Sequence, residues 1–393
     1  HYHILKVLID LLLKVGLVII EIFELLCEPM AMAMVLNDDQ QLLKESAKNF
    51  CRQNSPLSVL RRLRDEKDKI GFDKDIWNQM LELGWAGMAI PETYGGFDFG
   101  YGGLGIVLEE SGRTLTSSPL ISAILLGATA VNEIGSDEQK REILPKVVAG
   151  ELIISLALDE NISHAPNQIT TSAKKDADSF IINGEKTFVL DGHVADKFIV
   201  VARTAGETDN EQGISLFLVD ANTAGVSITR TFMVDNRNSA KIKFEDVNVL
   251  SSALLGEVDK GFATLDYVLD IARIGLAAEM LGSTQEVFDR ILEYLKQREQ
   301  FGVLIGSFQG LQHRAANMYS EIELSKSVVR SALAALDNKK TDRVEIAELA
   351  SIAKAKLSEV FFLVSNEGVQ TVSYTHLRAH ETDSYLVCRL LLE

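Results

Sequence analysis

The chain has little cysteine. Cys27, Cys51 and Cys388 are its three thiols in 393 residues, too few and too scattered for a disulfide framework, and their spacing fits no metal site. That points to a reducing compartment, so a cytoplasmic location and no metal are expected. Positive charge is also short: 39 lysines and arginines against 56 aspartates and glutamates leave a formal net charge of −17. Such a balance disfavours nonspecific binding to nucleic acid. Long apolar runs are missing as well. Residues 1–30 are rich in leucine, isoleucine and valine, but Lys6, Asp10, Lys14, Glu21 and Glu24 interrupt them. The longest uncharged run there, Val15–Ile20, is far short of the roughly 20 residues a membrane span needs. No span is expected, and no standard signal-peptide cleavage pattern stands out. A nucleotide loop is absent too. Tyr94-Gly95-Gly96 and Tyr101-Gly102-Gly103 follow no strand and form neither GxGxxG nor GxxxxGK[ST]; they let the backbone turn closely between helices.

What is present is a change of period. From about Glu151 to Leu255 the apolar residues come in short runs divided by turn residues, whereas on either side they recur every three or four positions. Ile153–Leu158, Phe198–Ala202 and Ile214–Val219 read as strands, and Lys241–Val247 alternates as a strand with one wet face should. Phe180–Ile182, Asn183-Gly184 and Thr187–Leu190 read as a hairpin, because Asn-Gly tolerates the positive φ of a tight turn. His164 has no sequence-local partner, and His193, after Asp191-Gly192, reads as a turn histidine.

Helices are expected before this block. The first runs from Asp38 to about Asn54 with Asn37 as cap and Leu42, Leu43, Ala47 and Phe50 on its apolar side. Phe72, Ile76, Met80 and Leu83 mark a second, which Gly84 can close. Leu104–Leu115 and Leu120–Gly135 follow, and Ser136 opens another that ends near Gly150. Glu109 and Glu110, adjacent on their helix, point about 100° apart and read as solvated charge. After Gly261 the apolar stripe Phe262, Leu265, Leu269, Ala272, Leu276, Met280 defines a spine helix ending at Arg298. Long helices at Phe308–Leu336 and Val344–Val369 then imply an up-and-down bundle.

The fold class is thus α+β: a helical N-terminal domain over 34–150, a middle antiparallel β domain over 151–257 and a C-terminal bundle over 258–370. Both ends break this pattern. Residues 1–33 read as a leader foreign to the natural protein, with Met32 or Met34 as the start. Residues 371–393 read as a foreign tail, replacing the last bundle helix; its His376 and His380 lack a third metal ligand.

At the end of the spine helix stands Arg298-Glu299-Gln300-Phe301-Gly302, followed by Phe308-Gln309 and Gln312. This corner resembles that of the acyl-CoA dehydrogenases, and the resemblance extends over about residues 35–370. Pro91-Glu92 before Gly95-Gly96, Asn183-Gly184-Glu185-Lys186 and Asn366-Glu367-Gly368-Val369-Gln370 resemble three further family segments. The resemblance implies a flavoprotein of lipid metabolism that binds FAD. Arg298, Phe301, Phe308, Gln309 and Gln312 would reach the adenosine and pyrophosphate of FAD in a neighbouring subunit, with arginine giving paired donors to phosphate. Asp159, Phe188, Leu190 and Gln370 would complete the cofactor site. It further implies an acyl-CoA substrate, an electron-transfer flavoprotein or other electron acceptor, and a homo-oligomer or heteromer.

The departures from the family bear on catalysis. Asp159-Glu160-Asn161 stands where the family has Thr-Glu-Pro and glycines, and Leu190 stands where a threonine would bond the flavin. The expected reaction removes an α-proton with a carboxylate while hydride leaves the β-carbon. One family subgroup carries that carboxylate before an arginine on the spine helix; here Ala272 precedes Arg273, and alanine takes no proton. Asp270 is a substitute on another side of the helix, and Arg273 acts near the substrate or pairs with Asp270 or Glu279. No catalytic residue is assigned. Three functions stay open: an FAD-dependent acyl-CoA dehydrogenase, a non-catalytic or heteromeric partner subunit, and a flavin monooxygenase or nitroalkane-oxidising relative.

Overall fold

The computed structural model describes residues 35–372. The expected leader over 1–33, the expected tail over 371–393 apart from its first two residues, and a fourth bundle helix lie outside the described residues. The described chain forms a helical N-terminal part, a central sheet and a C-terminal bundle.

Helix α1 (Asp38–Asn54) begins where the cap was expected. The Asn37 side chain accepts the Gln40 amide while the Gln40 side chain accepts the Asn37 amide, a capping box. Ala47 and Phe50 are buried, but Leu42 is exposed, so the apolar face is narrower than its sequence suggests. Helices α2 (Leu57–Asp65) and α3 (Lys74–Glu82) follow, and Gly84 at φ +77 ends the α3 turn. Helix α4 (Gly100–Thr114) passes through the middle of the molecule. It packs against α1 and against two later helices, α7 (Phe262–Gln297) and α8 (Gln309–Asp337). For that reason it has no wet face, and Glu109 and Glu110 are 8% and 2% exposed. The reading of this pair as solvated charge is corrected. Lys44 Nζ lies 2.6 Å from Glu109 and 3.7 Å from Glu110. Burial, then the neighbouring Glu109 charge, raise the Glu110 carboxyl above its ordinary range despite Lys44.

Leu120–Ala128 winds as a π-helix and continues into α5 (Thr129–Ile134), so the single helix expected there has two windings. Nearly every side chain of the π-helical stretch is buried, which fits a segment enclosed on all sides. Ser136 and Gln139 form a second capping box at α6 (Asp137–Val148).

The sheet has eight strands: β1 (Ile154–Ala157), β2 (Ser172–Asp176), β3 (Ser179–Leu190), β4 (Lys197–Arg203), β5 (Ile214–Asp220), β6 (Val226–Phe232), β7 (Asn238–Leu250) and β8 (Leu254–Leu255). The order is β6-β7-β3-β2-β4-β5-β8, with β1 beside β4. Most pairs are antiparallel, but β1 and β2 both meet β4 in parallel. The sheet is therefore mixed, because the chain crosses over between β1 and β4 instead of folding back directly. The expected turn at Asn183-Gly184 does not form. β3 runs straight through it, and the two-residue turn is Ala177-Asp178, between the paired Asp176 and Ser179. Asn183-Gly184 instead faces a bulge in β7: the Asn183 side chain accepts the Asp246 amide at 2.8 Å, and Asp246 has φ +49.

One arginine staples the β1–β2 connection to the β4–β5 loop. Arg203 donates to the carbonyls of Asn167, Ile169, Ala205, Thr208, Asn210 and Gln212 at 2.9–3.3 Å. Arg203→Ala is expected to lose about 2–3 kcal/mol in a urea titration, since charge-assisted bonds are the stronger kind and their acceptors lose a common partner. The loop at 205–213 should also become the first site of protease cleavage.

The bundle consists of α7, α8 and α9 (Arg343–Val372). Two glycines set how closely α7 crosses α4. A Cβ on Gly112 would overlap the Glu279 carbonyl oxygen, and one on Gly282 the Glu109 carbonyl oxygen. Ser283 Oγ uses that proximity to donate to the Gly112 carbonyl at 2.9 Å.

Candidate functional site

Where α4, the start of the π-helical stretch, the end of β3, the β6–β7 connection and α7 meet, a cleft opens. Its walls include Leu190 and Asp191 from the sheet, Ser122 from the π-helix, Asp235 and Arg237 from the β6–β7 connection, and Glu279 from α7. Hydroxyls add to this polar lining at Ser111, Thr116, Ser117 and Ser118. Ser122 Oγ donates to Asp191 Oδ2 at 2.5 Å, and Arg237 pairs with Glu279. Asp235 accepts the Arg237 amide at 2.9 Å. Burial raises the Asp191 carboxyl, against lowering by Ser122, Asn238 and the charges of Arg237 and Arg230. Burial would lower Arg237, but Glu279 more than offsets it, so the guanidinium stays charged. Three wall residues, Leu115, Asp191 and Asn236, hold positive φ, at 52°, 51° and 59°. Non-glycine residues seldom hold such angles, and where they do the surroundings enforce them, often at functional sites.

Beside the cleft, Phe188 sits in a bulge of β3 with φ +52 and is 39% exposed. A bulge re-aims one side chain against the pleat, and this one turns Phe188 outward. Its neighbour Thr187 donates its amide to the Asp159 carbonyl at 2.7 Å. Asp159 Oδ1 also lies 3.0 Å from His164 Nδ1, so His164 has a partner five residues away after all.

A second cluster forms at the far end of α7. Strands β9 (Glu299–Gln300) and β10 (Val303–Leu304) pair across Phe301-Gly302. Both turn residues have positive φ, 56° and 79°, as a type I′ turn requires. Phe301 is 92% exposed at this tip, and its ring meets that of Phe308 edge-on with centroids 6.3 Å apart. The Ile305 amide donates to the Arg298 carbonyl at 2.8 Å, and Gln312 Nε2 donates to the Gly306 carbonyl at 3.0 Å. Arg298, Phe301, Phe308, Gln309 and Gln312 therefore share one corner. Gln370 is exposed near the end of α9, three residues beyond Glu367, which pairs with Arg314 of α8 at 2.5 Å.

Asp270 and Arg273 do not line the cleft. They pair with each other at 2.5 Å, and Asp270 is 4% exposed. Burial raises the Asp270 carboxyl, against lowering by Arg273. Of the two partners expected for Arg273, Asp270 is the one it meets; Glu279 belongs to Arg237. Sequence reading missed Ser122, Asp191, Arg237 and Glu279 as a group. The available signal was Glu279 itself, a lone charge within the apolar run Ile274–Leu281. Among the described residues, no group of His, Cys, Asp and Glu could hold a metal ion, and no helix is long and apolar enough to cross a membrane.

This three-part architecture is that of one family. The descriptions "Acyl-CoA dehydrogenase, N-terminal domain", "middle domain" and "C-terminal domain" match residues 37–151, 159–247 and 259–389 in that order. The chain belongs to the acyl-CoA dehydrogenase family. It is similar to the "probable acyl-CoA dehydrogenase YngJ" of Bacillus subtilis, 32% identical over 85% of this chain and 88% of the relative. It is also similar to the 3-(aryl)acrylate reductase of Clostridium sporogenes, 31% identical over 86% of this chain and 89% of that one. Among solved structures, butyryl-CoA dehydrogenase from Megasphaera elsdenii superposes with a TM-score of 0.80 at 27% identity, covering 90% of this chain and 93% of that chain.

Proposed function

We propose that the chain binds FAD and acts on an acyl-CoA thioester, removing or adding hydrogen across its α- and β-carbons. The observation that carries this reading is the corner at the end of α7. Phe301 and Phe308 offer bare aromatic faces, Arg298 a guanidinium, and Gln309 and Gln312 exposed amides, a set that suits an adenosine and its phosphates. Phe188 offers a further ring beside Asp159, and Leu190 its main chain. Bound there, FAD would supply the hydride acceptor or donor. The chain's own residues would bind and orient it. Because Phe301 projects from the tip of a hairpin, the flavin that it covers belongs to a second copy of the chain or to a related subunit. An electron-transfer flavoprotein or another electron acceptor would then exchange electrons with the site. The names of the two relatives are those of a dehydrogenase and a reductase, and the same residues serve either direction.

Arg298→Ala is expected to weaken FAD retention at least tenfold, read as the flavin-to-protein ratio after dialysis at limiting FAD. An unchanged ratio would count against the role of this corner.

A second reading has its own support. Ala272 offers no proton acceptor, Asp270 is engaged by Arg273, and the cleft carboxylates of Asp191, Asp235 and Glu279 already accept hydrogen bonds. A flavin-binding subunit that depends on a partner for catalysis fits these facts. Anaerobic addition of acyl-CoA thioesters to the FAD-loaded chain separates the two: bleaching of the flavin supports the first, and retained FAD with no bleaching supports the second.

A further inference from the structure

We propose that His193 is a pH-sensitive latch: neutral, it holds the connection between α2 and α3 against the sheet domain, and protonated it lets that connection go. Three side chains of the sheet domain reach the connection, and all three grip its main chain. His193 Nε2 donates to the Ile70 carbonyl at 2.9 Å, Asn238 Nδ2 donates to the same carbonyl at 3.2 Å, and Arg230 Nη1 donates to the Asp68 carbonyl. The approach is close. Gly71 has φ +80, and a Cβ there would overlap Asn238 Oδ1. The connection is also shaped from within, since Asp68 Oδ1 accepts the Ile70 and Gly71 amides at 2.9 and 2.7 Å. The latch bears on the cleft, because Asn238 and Leu60, the latter carried by α2, both line it.

A carbonyl only accepts, so the neutral ring carries its proton on Nε2 and Nδ1 keeps a lone pair. Nδ1 is buried and has no hydrogen-bond partner among the described residues. Protonation would create a second N–H there with nothing to receive it. The charged groups around the ring are Arg230 from β6, Asp68 from the connection and Asp191 just after β3. The Asp68 carboxylate holds two amides and Asp191 accepts Ser122; the charge that acts on the ring is that of Arg230. Burial first, then Arg230, lower the imidazole from its ordinary 6.5, against raising by the Ile70 carbonyl. Well above 6.5 the ring is neutral whether the connection is docked or free, and the latch is fully set. As the pH falls below 6.5, the free ring takes up a proton that the docked one refuses. Docking then weakens by at most about tenfold per pH unit, until the docked ring is protonated too.

The test is amide hydrogen exchange on the full chain at pH 7.5 and pH 5.5, corrected for intrinsic rates, with peptides from the β3–β7 pairing as internal reference. Protection over residues 66–73 is expected to fall several-fold, up to about tenfold, while the reference holds. His193→Gln keeps a donor for the Ile70 carbonyl but does not titrate, so its protection should be equal at the two pH values. His193→Phe has no donor and should be poorly protected at both. Equal protection of the unaltered chain at both pH values would overturn the proposal. So would a Gln variant that loses protection on acidification as the unaltered chain does. Should the Gln variant fail to fold, NMR titration of the His193 ring in the unaltered chain decides. A midpoint below 6.5 supports the latch, and one at or above it overturns the proposal.

Discussion

Gly282→Ala should destabilise the protein by about 3 kcal/mol or more, at the upper end of what overpacking costs. The added methyl would overlap the Glu109 carbonyl oxygen, which belongs to the backbone of α4 and cannot rotate away. Relief requires α4 and α7 to separate, and that movement would also break the bond from Ser283 Oγ to the Gly112 carbonyl. It would displace Glu279, three residues before Gly282, and with it the Arg237 pair in the cleft. A control is available in α8. Gly310 has nothing within 4 Å of an added Cβ, so Gly310→Ala should be neutral or stabilising by up to about 1 kcal/mol from helix propensity. Chemical denaturation of both variants checks the pair. Similar stabilities would mean that the crossing is less rigid than its geometry implies.

The second large effect is expected at Lys186 and Glu160. Lys186 is fully buried, 2.7 Å from Glu160 Oε1, and donates to the Leu158 carbonyl at 2.9 Å. Glu160 also accepts the amides of Thr170 and Thr171 at 2.7 and 2.9 Å. Burial would raise the Glu160 carboxyl, but the Lys186 charge and these hydrogen bonds outweigh it and bring it down to about 2. Burial lowers Lys186 to about 8, against raising by Glu160. Lys186→Met leaves a buried carboxylate without its cation and should cost about 3–5 kcal/mol. Since the pair anchors the segment that leads into the Phe188 bulge, flavin retention should fall with it.

The acid limb follows from the same pair. Well above the ordinary glutamate pKa of 4.5, Glu160 is ionised in folded and unfolded chains alike, and its contribution is complete. As the pH falls from 4.5 towards 2, the unfolded chain takes up a proton that the folded one refuses, and stability declines by up to about 1.4 kcal/mol per pH unit. Glu160→Gln should be less stable near neutrality and show a shallower decline over that window. An unaltered slope would mean that other carboxylates govern acid unfolding.

How much of this was legible beforehand differs by feature. The capping box at Asn37 and the helices of the bundle follow from local pattern, since side-chain spacing and capping chemistry act within a few residues. The corner was legible because Arg298, Phe301, Phe308 and Gln312 lie within fifteen residues of one another, and one short hairpin gathers them. Asn183-Gly184 misled for the opposite reason. A dipeptide that suits a turn also suits a bulge, and the long pairing of β3 with β7 decided between them. Glu109 and Glu110 misled because charge predicts exposure only when the helix has a wet face, and α4 is enclosed by three others.

The sequence by itself determined the order of helical, β and helical blocks, the aromatic corner after the spine helix, and the alanine before Arg273. These depend on residue type and short spacing. Tertiary structure alone decided which charges are buried, which strand bulges turn Phe188 outward, and that Ser122, Asp191, Arg237 and Glu279 share one cleft. Those residues span more than 150 positions, and they meet only because hydrophobic burial and two glycines draw the separate blocks together.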